Sequence, residues 1–167
     1  MTPKKSLENY RKGAVGSLLD EYERAVFELK AVLQTVGADD YTRVVEGESE
    51  HCHSIEVIMI HVVRAGYGYS KYIRDALAMD ALPVEDRKIP QEKIGDEIDK
   101  MLAYTTEIFE GERQITDEEM ENIFFKTRWD VNYNIDQLFE HAIVHILRHR
   151  RQIEKFLLKF KNTENQL

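Results

Sequence analysis

The sequence is poor in residues that break or cross-link a fold. One cysteine, Cys52, stands alone among 167 residues. That excludes an internal disulfide and a cysteine-built zinc knuckle, and it suits a reducing cytoplasm. Three prolines and eight glycines are few breakers, so long helices are favoured over many short strands. Long apolar runs are missing too: the greasiest, Val57 to Val63, already contains His61, whereas a membrane span needs roughly 20 residues. Positive charge is also in deficit, with 23 Lys and Arg against 31 Asp and Glu, a net charge of −8. A nucleic-acid partner is not expected, because affinity for phosphate backbones comes largely from Lys and Arg displacing counterions. The opening Met1-Thr2-Pro3-Lys4-Lys5 is charged and no apolar stretch follows, so no signal peptide is expected. These absences predict a soluble cytoplasmic protein with neither a membrane nor a nucleic-acid partner.

What is present predicts a helical core. A hydrophobic fraction of 43% with 8 Tyr and 7 Phe excludes a disordered acidic tail. The length fits a single domain over residues 1–167. In the first of four helical segments, Leu18, Tyr22, Ala25, Leu29, Val32 and Val36 recur at steps of four and three, predicting a helix over about Leu7 to Val36 that leaves at Gly37. A polar connection runs from Gly37 to His53. Ser54 is then a natural N-cap for a second helix, with Glu56 in its first turn. Its predicted seam is Ile58, His61, Ala65, Gly68 and Tyr72, and its end lies near Met79-Asp80.

A third helix carries Ile94, Ile98, Met101, Thr105 and Ile108 on one face and stops at Gly111; Thr116 and Glu119 have capping-box spacing for a short extra turn. The fourth opens on the capping pair Asn134 and Gln137 and runs to about Lys161, with Leu138, Ala142, His145, His149, Ile153, Phe156 and Phe160 inward. The pattern predicts an all-α four-helix bundle. Long connections after the first two helices leave room for crossovers.

The chemistry lies in the histidines. Of six, three fall at His141, His145 and His149. Each step of four turns about 40° around a helix, so neighbours share a face. His145 and His149 fall on the inward stripe, and His141 at its edge. His61 lies on the second helix's own stripe, beside the small Ala65 and Gly68. Read singly, each is a hydrogen-bonded core or surface residue; read as a trio from two converging helices, His61, His145 and His149 form a metal site. Neutral imidazole suits zinc, nickel, iron and copper, and the expected cofactor is a divalent metal, with zinc, nickel, iron and manganese not distinguished. Three protein ligands leave positions open, the pattern of catalytic sites, where a metal acidifies water toward a nucleophile near neutral pH.

Other constellations fit less well. Metalloproteases place Glu directly after the first histidine of the pair, but Ala142 and Ile146 stand there. Di-iron bundles need two Glu-x-x-His motifs, and only Glu50 to His53 has the spacing. The His51-Cys52-His53 segment reads as a loop rather than a metal clip, because alternate side chains point apart. Arg148, Arg150, Arg151, Lys155, Lys159 and Lys161 read as a solvated basic end opposed only by Glu154, with Arg148 or Arg150 placed to hold a substrate carboxylate. Tyr67, Tyr69, Tyr72, Tyr104 and Trp129 read mostly as core, with one or two lining a pocket. Asn132, Asn134 and Gln152 are polar candidates for bonding to the ligands.

The stretch from Glu140 to Gln152 resembles the last-helix motif of the DinB/YfiT-like metalloenzyme family. That motif has two histidines four apart followed by Arg, a Gly or variable position, and Gln. Here these are His145, His149, Arg150, Arg151 and Gln152, with Arg151 where Gly is usual. The family's remaining ligand, a histidine within the second helix, matches His61. The resemblance implies a bundle with crossover connections, a divalent metal on the three histidines, a small-molecule substrate and a homodimer. Several such proteins act as S-transferases or isomerases that use low-molecular-weight thiols, so a thiol S-transferase is implied, and metal-assisted hydrolysis is the other reaction expected of the site. The contrasting expectation is a non-catalytic bundle, binding a partner or serving a stress response, with a vestigial or structural metal site.

Overall fold

The computed structural model describes residues 5–85, 87–111 and 115–164. The opening residues 1–4, read above for their charge, lie outside them. The described chain is mostly helical: α1 (Gly13–Leu33), α2 (Ala38–Thr42), α3 (Ile55–Ala76), α4 (Gln91–Glu110), α5 (Asp117–Asn122), strands β1 (Phe124–Lys126) and β2 (Asn132–Asn134), and α6 (Ile135–Glu164). A 3₁₀ turn at Leu7–Asn9 precedes them. Among the described residues no helix is long and apolar enough to cross a membrane.

The first helix is shorter than its periodicity predicts. It starts at Gly13, whose φ of +77° suits glycine and turns the chain into the helix. The segment before it is held by side chains instead of by a helical ladder. Arg11 donates its backbone N–H to Asp20 Oδ2 at 2.9 Å, and its guanidinium bonds Asp20 and Glu23, each at 2.6 Å, and Glu110. At the other end α1 stops at Leu33, and the Thr35 hydroxyl bonds the Val32 carbonyl at 2.7 Å. Gly37 is therefore not the exit of α1 but the N-cap of α2, which the polar connection conceals and which buries Tyr41.

The helix starts follow their caps. Ser54 Oγ accepts from Val57 N at 3.2 Å at the head of α3. Thr116 and Glu119 form a complete capping box for α5. Asn134 Oδ1 accepts from Gln137 N at 2.8 Å, and Gln137 Oε1 accepts from Asn134 N at 3.2 Å, launching α6. Each pairing satisfies N–H groups that the first turn leaves open.

The α3 seam is displaced from its expected position. Ile58, Val62, Gly66, Ser70 and Ile73 are the buried line, whereas His61, Ala65, Gly68 and Tyr72 are half-buried beside it. Gly66, not Gly68, sets the close approach to α4: a Cβ there would lie 2.1 Å from Met101 Sδ. Helix α3 also ends earlier, at Ala76, with Ala78 in the left-handed region at φ 53°. The predicted faces of α4 and α6 are buried throughout.

The long helices close a ring: α1 packs on α6, α6 on α3, α3 on α4, and α4 back on α1. The pairs α1–α3 and α4–α6 therefore face each other across the diagonal. Chain crossings fall after α1 and after α4, while α3 passes to its neighbour α4. Room for a crossover after the second helix was expected, but that connection joins adjacent helices. A hairpin was not expected at all: β1 and β2 pair antiparallel with Phe125 opposite Tyr133, in strands too short for alternation to show.

Candidate metal centre

Three imidazoles converge where α3 faces α6. His61 comes from the second turn of α3, and His145 and His149 from successive turns of α6. One ligating nitrogen from each lies within 4.8 Å of the others. Ring centroids are 4.9 Å apart for His61–His145, 5.0 Å for His61–His149 and 4.5 Å for His145–His149. Nitrogens bonded to one tetrahedral zinc at about 2.0–2.1 Å stand about 3.3 Å apart, so small ring rotations bring these three onto a single ion. The group can hold a metal ion.

The nitrogens are in the state a metal needs. Burial, followed by the charges of His149 and His61, lowers His145 from 6.5 to about 3. Burial, followed by His61, lowers His149 to about 4. Burial, followed by Arg64 and Arg128, lowers His61. At neutral pH these rings are uncharged, and each keeps a lone pair on one of its two nitrogens. His149 donates its Nδ1 proton to Gln152 Oε1 at 3.1 Å, which leaves the lone pair on Nε2. His61 Nε2 and His145 Nε2 are 2.9 Å apart, so a single shared proton makes an N–H···N bond between them. They satisfy each other, so this pair of histidines does not by itself require a metal.

His141 is set apart from the trio. It is half-buried at the rim, its ring 6.3 Å from His145 and its Nδ1 3.5 Å from the Tyr133 hydroxyl. The His51-Cys52-His53 segment lies in turns before α3 and contributes no ligand to the cluster. Burial pushes the Cys52 thiol up, away from nucleophilic reactivity. Gln152 thus has a placed role, holding His149. Asn134 serves the α6 cap, and Asn132 pairs with Lys126 in the hairpin.

The basic end of α6 divides. Arg150 is bound to Glu28 of α1, so it is engaged away from the metal site. Lys159 faces Glu48 at 3.7 Å, so carboxylates beyond Glu154 oppose this face. The charge of Arg148 does reach His145 and His149.

Beside His61 opens a cavity of about 470 Å³ between α3 and the turn after β1. None of the five aromatic residues expected mostly in the core is fully buried. Tyr69, Tyr72 and Trp129 wall this cavity. Tyr67 and Tyr104 pack on each other instead, 5.4 Å apart. Sequence reasoning missed Arg64, Lys71 and Arg128 in the same wall. The first two sit at helical spacing from His61 and were open to notice; Arg128 lies in a turn whose position no periodicity gives. No family model matches the chain, and no match is found among curated proteins or solved structures.

Proposed function

We propose that this chain is a divalent-metal-dependent enzyme of the DinB/YfiT-like kind, acting on a small molecule by hydrolysis or by transfer of a low-molecular-weight thiol to an electrophile. The convergence of His61, His145 and His149 from two helices carries the reading. A divalent ion on these residues would act as a Lewis acid, acidifying water or a thiol and polarising the bond under attack. The chain's own residues prepare that site. Gln152 fixes the His149 tautomer, burial keeps the imidazoles neutral, and the cavity beside His61 admits a reactant while His145 and His149 stay covered.

The charge set supports an anionic nucleophile or substrate. Three neutral ligands leave the charge of a divalent ion uncompensated, and Arg64, Arg128 and Arg148 add to it. A homodimer belongs to the same reading.

The test is elemental analysis of untagged protein beside the His61→Ala/His145→Ala/His149→Ala variant, with circular dichroism confirming that both are folded. About one metal per chain, lost in the variant, is expected. Equal trace metal in both overturns the reading. Metal-dependent turnover of a thiol with an alkylating electrophile then separates an enzyme from a non-catalytic bundle carrying an idle metal.

A further inference from the structure

The cavity beside His61 has a composition at odds with the rest of the molecule. The chain carries a net charge of −8, yet Arg64, Lys71 and Arg128 all line this one space. Among the described residues that line it the one carboxylate, Asp75, is already held by Lys71 Nζ at 2.9 and 2.8 Å. An anion entering here meets positive potential without displacing a resident carboxylate from Arg128.

Much of the remaining wall is aromatic. The Trp129 ring stands edge-on to Tyr69 at 6.3 Å and to Tyr72 at 5.8 Å. Tyr72 is in turn stacked on Phe125, 6.0 Å away and within 6° of parallel. Gly68, on α3 beside Tyr69, contributes no side chain, and a Cβ there would meet nothing within 4 Å. The volume of about 470 Å³ falls within the range of about 300–1,000 Å³ usual for small-molecule pockets. Aromatic edges and faces favour a planar guest over a branched aliphatic one.

We propose that this cavity is the substrate subsite and that it takes a small aromatic anion, a carboxylate or phosphate on a planar ring. The ring lies among Tyr69, Tyr72 and Trp129, the acid faces Arg128, and the guest reaches His61. The inference rests on the metal reading only for calling the guest a substrate. Recognition by the walls needs no ion.

Trp129, the sole tryptophan, reports occupancy through its fluorescence. Benzoate, phenyl phosphate, benzyl alcohol, benzylamine and acetate are titrated at constant ionic strength into chelator-treated protein and into zinc-loaded protein, with saturation-transfer NMR as a second readout. Benzoate and phenyl phosphate are expected to bind both forms, about tenfold or more tighter than benzyl alcohol or acetate, with benzylamine weakest. Arg128→Gln should weaken benzoate about fivefold or more and leave benzyl alcohol unchanged, while Arg151→Gln, exposed on α6, should change neither.

Equal binding of benzylamine and benzoate, no binding of either anion, or benzoate affinity untouched by Arg128→Gln overturns the proposal. The two readings fail separately. Metal bound without benzoate removes this inference alone, and benzoate bound without metal removes the metal reading and leaves the ligand class standing.

Discussion

His149 and Gln152 lie one helical turn apart, and the 3.1 Å contact from His149 Nδ1 to Gln152 Oε1 decides which imidazole nitrogen keeps its lone pair. Partners of this kind orient metal-bound histidines, and their loss typically costs about 10–100-fold in metal affinity. Gln152→Leu should therefore weaken zinc by that factor in a chelator competition, with the fold intact by circular dichroism. Gln152→Glu keeps the acceptor and should hold affinity near the native value. Unchanged affinity in Gln152→Leu shows that the tautomer is set elsewhere.

The same neutrality gives a pH signature in metal-free protein. His145 and His149 titrate near 3 and 4 in the fold, against 6.5 for an unperturbed histidine. Below pH about 6.5 the unfolded chain takes up protons that the fold refuses, so it binds more protons and stability falls as pH falls. The loss runs from about 6.5 down to the folded values and then levels off. Urea midpoints of chelator-treated protein should drop across that window. In a His145→Leu/His149→Leu variant the slope there should flatten, and a slope equal to wild type contradicts the burial account.

Much of this was legible beforehand, for identifiable reasons. The steps of four from His141 to His149 lie within one uninterrupted helix, so their relative facing follows from helical geometry alone. The α6 and α4 faces were likewise read correctly, because each is long and bounded by a recognisable cap or Gly111. The α3 seam slipped because His61, Ala65, Gly68 and Tyr72 keep a helical beat of their own, one position round from Ile58, Val62 and Gly66. That second beat belongs to the cavity wall, and a periodicity count does not distinguish a pocket face from a core face. Helix α2 and the hairpin were invisible for another reason: five- and three-residue elements carry too few positions for a period. The role of Arg11 depended on Asp20, Glu23 and Glu110 gathering in space, which sequence distance hides.

Gly66 and Met101 set the spacing of α3 and α4. A Cβ at Gly66 would lie 2.1 Å from Met101 Sδ and 2.7 Å from its Cγ, and Met101 is fully buried with no solvent to retreat into. Overpacking of this kind costs about 1–3 kcal/mol, so Gly66→Ala should lower stability by that amount in urea unfolding. Met101→Ala alone should cost about 2–5 kcal/mol through its cavity. The double variant should lose less than the sum, since each change relieves the other; strict additivity shows that the helices do not meet there.

The two helices that bring in the ligands both start at side-chain caps, Ser54 for α3 and Asn134 for α6. Ser54→Ala and Asn134→Ala should each cost about 0.5–2 kcal/mol. Zinc affinity should change little in either, because His61 and His145 lie beyond the capped first turn. A large loss of affinity from Ser54→Ala would mean that the start of α3 positions His61 directly.

Tyr72 ties the wall of the cavity to the helix beneath it. Its hydroxyl accepts the Arg128 backbone N–H at 2.8 Å, and its ring stacks on Phe125, so one side chain holds both the turn and the hairpin against α3. Tyr72→Phe keeps the ring and deletes the acceptor. Arg128 is exposed, so water can replace the lost partner and the stability cost should stay near or below about 1 kcal/mol. The turn should nonetheless loosen. Trp129, 38% exposed and packed edge-on to Tyr72, should become more accessible to acrylamide quenching and shift its emission to the red. Quenching identical to wild type would show that the stacking, not the hydroxyl, holds Trp129 over the cavity.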